Sequence, residues 1–295
     1  MAEDRLGFIG LGTMGMPMSL NILKAGRELN VWGRTKEKLQ DALNAGAAWV
    51  DSPKAMAEAC DVIFLCVFDT AAVEEVVFGP DGISEGAGGN TVVVDHSSIH
   101  PDGTRDIAAR LLEQTGAHWI DCPVSGGRYG ARDGTLVMMA GGEAADIERI
   151  RPHVEPTSQR LTHMGPIGTG QATKLVNQAV IAAEIAVLSE MFGFANTYGV
   201  DVKQIPDALA GGWADSTVLQ DHARRMIRAE YWSTAPGNTV KDMNTVCEMG
   251  KKTNSPMPVA ALTTELYRFL TAQGHAEKGQ IGLMHLYVQE NLEEK

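Results

Sequence analysis

The sequence predicts an α/β domain with a doubly wound parallel sheet over residues 1–164, followed by an all-α domain over 165–295 with a long helix between them. Three observations predict it. Short apolar runs alternate with helical stretches through the first half, the signature of strands laid side by side through helical crossovers. After about residue 163 the strand-like runs stop. A long, mostly apolar helical stretch, 171–198, then follows a glycine-rich joint at Gly165-Pro166-Ile167-Gly168-Thr169-Gly170.

In chain order, Leu6 to Ile9 is a short apolar strand, Met16 to Ala25 the helix after it and Glu28 to Trp32 a second strand at βαβ spacing. Pro53 to Ala59 is helical. Asp61-Val62-Ile63-Phe64-Leu65-Cys66-Val67 is nearly continuous in apolar residues, as expected of a strand covered on both faces. Thr91-Val92-Val93-Val94-Asp95 and His118-Trp119-Ile120-Asp121 are further strands around a helix at Thr104 to Thr115, and Leu136 to Gly141 is a late one. The stretch 171–198 is apolar on nearly every face and is expected to be buried all round. Lys174, Asn177, Gln178, Glu184 and Glu190 interrupt it and argue against a membrane span. A helix this apolar needs partners beyond one small domain, so a homodimer or homotetramer is expected.

The turn after the first strand carries the pattern G-x-G-x-x-G at Gly10, Gly12 and Gly15, with Leu11, Thr13 and Met14 between them. In a strand–turn–helix unit these glycines allow the tight turn, the approach of a pyrophosphate to the backbone and close helix packing. The helix N-terminus adds N–H groups and a positive dipole end. This is the Rossmann fingerprint for a dinucleotide. The second strand ends Val31-Trp32-Gly33-Arg34-Thr35-Lys36, without the acid that would bond a ribose 2′-hydroxyl. Arg34 can pair with a 2′-phosphate instead. NADP(H) is therefore expected over NAD(H); an exposed turn at Arg34 with dual cofactor use is the alternative.

At 295 residues there is room for about two domains. A net charge of −12 argues against a nucleic-acid partner. Cys60, Cys66, Cys122 and Cys247 are scattered with no C-x-x-C pair, so neither a zinc site nor a disulfide framework is expected. The first strand follows the N-terminus without a basic n-region, and no uninterrupted apolar run reaches the length of a membrane span. A cytoplasmic protein with no membrane partner is the expectation, and no metal.

Lys174 is the leading catalytic candidate, a lysine set into an otherwise apolar helix, where burial would lower its pKa toward acid–base duty near neutrality. Snorkelling to solvent is the alternative on spacing alone. Asn177 and Gln178, at i+3 and i+4, can share its face and hold a substrate oxygen. Asp121-Cys122-Pro123-Val124-Ser125-Gly126-Gly127 follows a strand end, where ligands of such sheets bind, and can offer a hydroxyl and backbone N–H groups to a carboxylate, or merely turn the chain. Ser98 and Val67 also follow strand ends; Ser98 either meets the nicotinamide or caps the next segment. His96 and His100 read as solvated loop residues. Lys241-Asp242, after Ala235-Pro236-Gly237, starts a late helix that reaches back over the cleft or forms a surface ion pair. Gly211-Gly212-Trp213-Ala214-Asp215-Ser216 lines a substrate site or turns the chain. No G-x-S-x-G elbow supports a hydrolase.

These pieces in this order resemble the β-hydroxyacid dehydrogenase family over nearly the whole chain. The resemblance rests on Gly7-Phe8-Ile9-Gly10-Leu11-Gly12-Thr13-Met14-Gly15-Met16-Pro17-Met18, Asp121 to Gly127, Gly168-Thr169-Gly170-Gln171-Ala172-Thr173-Lys174 and Lys241-Asp242. It implies a nicotinamide-dependent oxidoreductase that interconverts a small β-hydroxy acid and its semialdehyde. It also implies that Lys174 is the catalytic lysine, that Ser125, Gly126 and Gly127 form the substrate loop, and that Ser98 and Lys241 contact the cofactor. The stretches 174–178 and 211–219 look most like the branch that reduces tartronate semialdehyde. Other short semialdehydes, imine reduction and a non-catalytic NADPH-binding module are the alternatives. The asparagine that many members carry four residues after the lysine is Gln178 here, and Trp213 and Asp215 depart from that branch, both bearing on the substrate.

Overall fold

The structure, a computed structural model, describes residues 4–231 and 238–288. They fall into two compact units, one ending at Lys174 and one starting at Leu175.

In the first unit, β1 (Leu6–Ile9), α1 (Gly15–Lys24), β2 (Leu29–Trp32), α2 (Gln40–Asn44), β3 (Ala48–Trp49), α3 (Pro53–Ala59), β4 (Val62–Leu65), α4 (Thr70–Phe78), β5 (Val92–Asp95), α5 (Pro101–Thr115) and β6 (His118–Asp121) follow one another. The strands lie in the order β3-β2-β1-β4-β5-β6, all parallel. That is the order of a doubly wound dinucleotide-binding sheet. Period-2 alternation explains why the strands read as continuous apolar runs. Phe8, Val62, Phe64, Val92 and Val94 fill one core, while Ile9, Ile63, Leu65, Val93 and Trp119 fill the core on the opposite face. Helix starts follow side-chain chemistry: Ser52 accepts from the N–H of Ala55 ahead of α3, and Asp69 from that of Ala72 ahead of α4.

The sheet continues beyond the expected strands. β7 (Val124–Ser125), α6 (Gly127–Asp133), β8 (Leu136–Gly141), α7 (Ala144–Val154) and β9 (Ser158–Gly165) complete it. β8 runs antiparallel to both β6 and β7, and β9 parallel to β8. The doubly wound parallel sheet expected from the sequence thus carries antiparallel pairings, both to β8, at this edge. β9 is mostly exposed, so it lacks the apolar run that marks an inner strand. The expected glycine joint is the end of β9 and the first turn of α8 (Thr169–Tyr198).

The second unit is helical among its described residues: most of α8, then α9 (Ile205–Leu209), α10 (Arg224–Ile227), α11 (Asn238–Lys252) and α12 (Pro258–Ala272). Ala182, Ile185, Phe192, Leu219, Met243, Tyr267 and Leu283 belong to its core. By length and composition alone α8 would cross a membrane, yet only 28% of its most apolar stretch is buried within the chain. Burial on all sides is therefore corrected: Val176, Val180, Val187, Met191, Phe194 and Tyr198 are exposed, at steps of three, four and seven that trace a helical face.

Candidate active site

The strands place their carboxyl ends level. Ile9 pairs with both Trp32 and Leu65, Leu65 with Asp95, and Asp95 with Asp121. The residues that follow each strand therefore line one sheet edge, where open α/β sheets bind ligands. Gly10 turns there at φ +91°, its N–H donating to the Trp32 carbonyl at 3.2 Å. A Cβ on Gly10 would strike the carbonyl oxygen of Cys66, and one on Gly15 the carbonyl oxygen of Gly10. A Cβ on Gly12 would meet no atom within 4 Å. Packing therefore explains two of the three glycines, and open space beside the backbone marks the third. Leu11 is buried beneath this turn, whereas Gly12 and Thr13 are exposed. Helix α1 begins beside them with no acid in its first turn, after Met14, which makes no side-chain cap. An exposed N-terminus with open backbone beside it fits a pyrophosphate.

At the end of β2, Gly33 is half-buried and Arg34 and Thr35 are exposed. A Cβ on Gly33 would come within 3.3 Å of Leu39. At the next strand ends, the N–H of Val67 donates to Ser97 Oγ at 2.9 Å, and the N–H of Ser97 to Asp95 Oδ1 at 2.9 Å. Ser98 follows, half-buried. The expectation of solvated histidines fails here. His96 is buried, stacked on Phe64 with ring centroids 5.7 Å apart, its Nδ1 2.7 Å from the Cys122 carbonyl oxygen; burial holds its pKa down at about 4. His100 is half-buried, and its Nδ1 accepts from the N–H of Asp102 as the N-cap of α5. Burial raises Asp95 to about 7 against the opposing hydrogen bonds of Ser97, and its Oδ2 has no hydrogen-bond partner.

Beyond β6, Ser125 is half-buried and ends β7, while Gly126 and Gly127 are exposed with φ +127° and +59°. The two glycines supply left-handed backbone that other residues rarely adopt. Asp121 opens the segment that the sequence singles out, but the sequence assigns it no role of its own. It is fully buried; Oδ1 accepts from the N–H of Gly168 and Oδ2 from that of Gln171, both at 2.7 Å. It thereby caps the start of α8. Burial raises its pKa to about 6, and those N–H groups pull the other way. Gln171, buried as well, donates from Nε2 to the Ser97 carbonyl at 2.7 Å and accepts at Oε1 from the N–H of Ile99 at 3.2 Å. A Cβ on Gly170 would press on the carbonyls of Met139 and Asp121, so only glycine lets α8 start this close to the sheet. Lys174 follows in this helix, half-buried rather than enclosed.

In the second unit, Asn177 Nδ2 donates to Gln178 Oε1 at 3.1 Å and Gln178 Nε2 to Asp242 Oδ2 at 2.8 Å. Lys241 Nζ lies 3.7 Å from the other oxygen of Asp242. Gln178 and Lys241, far apart in sequence, thus meet on one carboxylate at the first turns of α11. The preceding Ala235-Pro236-Gly237 lies outside the described residues. Trp213 is fully exposed in its loop, where Asp215 Oδ2 accepts from the N–H of Gly211 and Oδ1 from Gln220 Nε2, both at 2.7 Å. Among the described residues no cluster of His, Cys, Asp and Glu has the arrangement of a metal site.

Asp121 and Gln171 carried only an indirect signal in the sequence. An acid ends a strand, and an amide sits one turn before the lysine, but nothing local says that the two meet.

Comparison with known proteins agrees with this geometry. Residues 5–165 match the model of the NAD-binding domain of 6-phosphogluconate dehydrogenase. Residues 168–287 match the model of the NAD-binding region of NADP-dependent 3-hydroxyisobutyrate dehydrogenase. The chain is 38% identical to 2-hydroxy-3-oxopropionate reductase of Escherichia coli (strain K12), covering 92% of this chain and 93% of that protein. It is 33% identical to a probable 3-hydroxyisobutyrate dehydrogenase-like protein of Arabidopsis thaliana, covering 96% and 87%. A solved structure described as Psf3 in complex with NADP+ and 2-OPP superposes with a TM-score of 0.85 at 26% identity, over 96% of this chain and all of that one. A strand-end edge built for a dinucleotide and two family models that together span nearly the whole chain lead to one conclusion: the chain belongs to the β-hydroxyacid dehydrogenase family, as a nicotinamide-dependent oxidoreductase acting on CH–OH groups.

Proposed function

We propose that the enzyme reduces tartronate semialdehyde with NADPH, in reversible exchange with the corresponding hydroxy acid. The observation that carries the substrate is the 38% identity, along nearly the full length, to a 2-hydroxy-3-oxopropionate reductase, whose substrate is the same compound. The cofactor preference rests on the exposed Arg34 at the end of β2 and on the absence of an acid from Gly33 to Lys36. A relative in the same fold binds NADP+.

Gly10, Leu11, Gly12, Thr13, Met14 and Gly15 would hold the pyrophosphate, and Gly33, Arg34 and Thr35 the adenosine end. Val67, Ser98 and Lys241 would hold the nicotinamide side. A nicotinamide bound there supplies a hydride. The chain's own residues supply the rest. Backbone N–H groups of Ser125, Gly126 and Gly127 receive the substrate carboxylate. Lys174 donates a proton to the carbonyl oxygen in reduction and withdraws it in oxidation. Asn177, a turn further along the helix, orients that oxygen. Gln178, tied to Asn177 on one side and Asp242 on the other, holds Asn177 in place.

The exposed apolar face of α8 supports a homodimer or homotetramer, a second copy covering Val180, Val187 and Phe194. Light scattering that returns a monomer at working concentration would remove that part. Free thiols at Cys60, Cys66, Cys122 and Cys247 support a cytoplasmic setting. The net charge of −12 argues against a nucleic acid as partner.

The test is NADPH oxidation with tartronate semialdehyde beside methylmalonate semialdehyde, succinate semialdehyde, glyoxylate and a cyclic imine, each repeated with NADH. Fastest turnover of tartronate semialdehyde with NADPH is expected. Faster turnover of another semialdehyde keeps the reaction and overturns the substrate. Cofactor binding with silence across the panel overturns the catalytic reading.

A further inference from the structure

Gln171 is a buried amide with no place in the chemistry above, and both ends of its side chain are committed to the same short segment. Its Nε2 donates to the carbonyl of Ser97, and its Oε1 accepts from the N–H of Ile99. The residue between them is Ser98. Gln171 also lies one helical turn before Lys174, and its own N–H is held by Asp121. One planar amide thus grips the backbone on either side of a cofactor-side residue and is rigidly joined to the helix that carries the lysine. An amide is suited to this because it presents a donor and an acceptor together. A carboxylate would face the Ser97 carbonyl with no proton to donate, and an apolar side chain would leave both buried backbone groups unpaired, which is costly.

We propose that Gln171 is a positioning residue that sets the spacing between the Ser98 segment and the Lys174 helix, so that cofactor and proton donor are placed by one hydrogen-bonded unit. The inference rests on the role assigned to Lys174 and goes beyond it by naming what aligns that lysine. Displacement of a reacting group by an ångström costs on the order of 10²-fold in rate, so the effect belongs in kcat rather than in cofactor affinity.

The experiment compares Gln171→Met, Gln171→Glu and Lys174→Ala with the wild type. It measures kcat with NADPH and tartronate semialdehyde, or the best substrate of the panel, together with the NADPH Kd from fluorescence. Hydrogen exchange at the Ile99 amide is measured in the protein alone. Gln171→Met is expected to lose kcat by roughly tenfold or more with the Kd within about threefold, and to exchange the Ile99 amide at least about tenfold faster. Gln171→Glu should resemble it near pH 8 and recover, relative to wild type, as the pH falls toward about 5, because a protonated carboxyl again both donates and accepts. A merely structural glutamine would lower thermal stability without that kcat loss and without the acid recovery. Wild-type kcat in Gln171→Met beside a dead Lys174→Ala overturns the positioning role alone. Retained turnover in Lys174→Ala overturns the lysine assignment and this inference with it. An unchanged Ile99 amide overturns the inference whatever the activities. If Gln171→Met does not fold, the pH recovery of Gln171→Glu decides.

Discussion

Alanine at each of the three fingerprint glycines separates packing from binding, because the structure assigns them different surroundings. At Gly10 the backbone sits at φ +91° and the new methyl would meet the Cys66 carbonyl. Left-handed backbone costs a non-glycine residue about 1–2 kcal/mol, and overpacking adds about 1–3 kcal/mol. Gly10→Ala should therefore lose roughly 2–5 kcal/mol, a large share of the ~5–15 kcal/mol that holds a typical domain. Gly15→Ala has only the second cost, from the Gly10 carbonyl and a Phe8 ring carbon 2.9 Å away. Gly12 has neither: its φ lies outside the left-handed range, and the methyl would point into open space. Its alanine variant should be as stable as wild type, or more stable by about 0.4–1 kcal/mol through a less flexible unfolded chain. If a pyrophosphate approaches the backbone there, the same methyl obstructs it, and the NADPH Kd should rise by roughly tenfold or more, about 1.4 kcal/mol. Urea unfolding and fluorescence titration on the three variants read both quantities. A Gly12→Ala variant that unfolds as early as Gly10→Ala would make that glycine structural. One that binds NADPH as tightly as wild type would show that no pyrophosphate approaches the backbone there.

Other outcomes follow from the same site. Lys174→Ala should reduce kcat by at least the roughly 10²-fold expected of a general acid, with NADPH Kd unchanged; near-normal turnover would remove the lysine from the chemistry. Arg34→Ala should weaken NADPH by about tenfold and leave NADH nearly as it was, a pattern that paired titrations would refute by showing equal losses. Asp95, raised by burial from 3.8 to about 7, holds a proton in the folded state that the unfolded chain releases from about pH 4 upward. Stability should therefore fall as pH rises through that window, fully spared below it and fully penalised above it. Asp95→Asn removes the titration, so its stability relative to wild type should climb between about pH 4 and 7 by on the order of 4 kcal/mol. Urea midpoints at the two ends decide, and a difference that does not change with pH would show that the acid is not held neutral.

What was legible in the sequence was what is local. Phe8 and Ile9, or Phe64 and Leu65, face opposite cores, so a strand covered twice must be apolar at every position and announces itself. The fingerprint glycines, Arg34 and Lys174 could be singled out because each stands within a few residues of the element that gives it meaning. The edge strand β9 could not, because its exposed side chains impose no pattern. His96 misled because Ser97 and Ser98 beside it look like a solvated loop, whereas the strand ends fold it beneath Cys122 and onto Phe64. The apolar surface of α8 misled in the other direction, since composition registers that a face avoids water but not whether this chain covers it. The grip of Asp121 on Gly168 and Gln171, and of Gln171 on Ser97 and Ile99, joins residues that lie 47 to 74 positions apart. Such contacts have no period and no motif. They follow from the parallel register that ends β5 and β6 level, and from a glycine at position 170 that admits α8 against those ends. The candidate residues were therefore readable one at a time, while the hydrogen bonds that join Asp121, Gln171 and the Ser97–Ile99 segment were a property of the sheet.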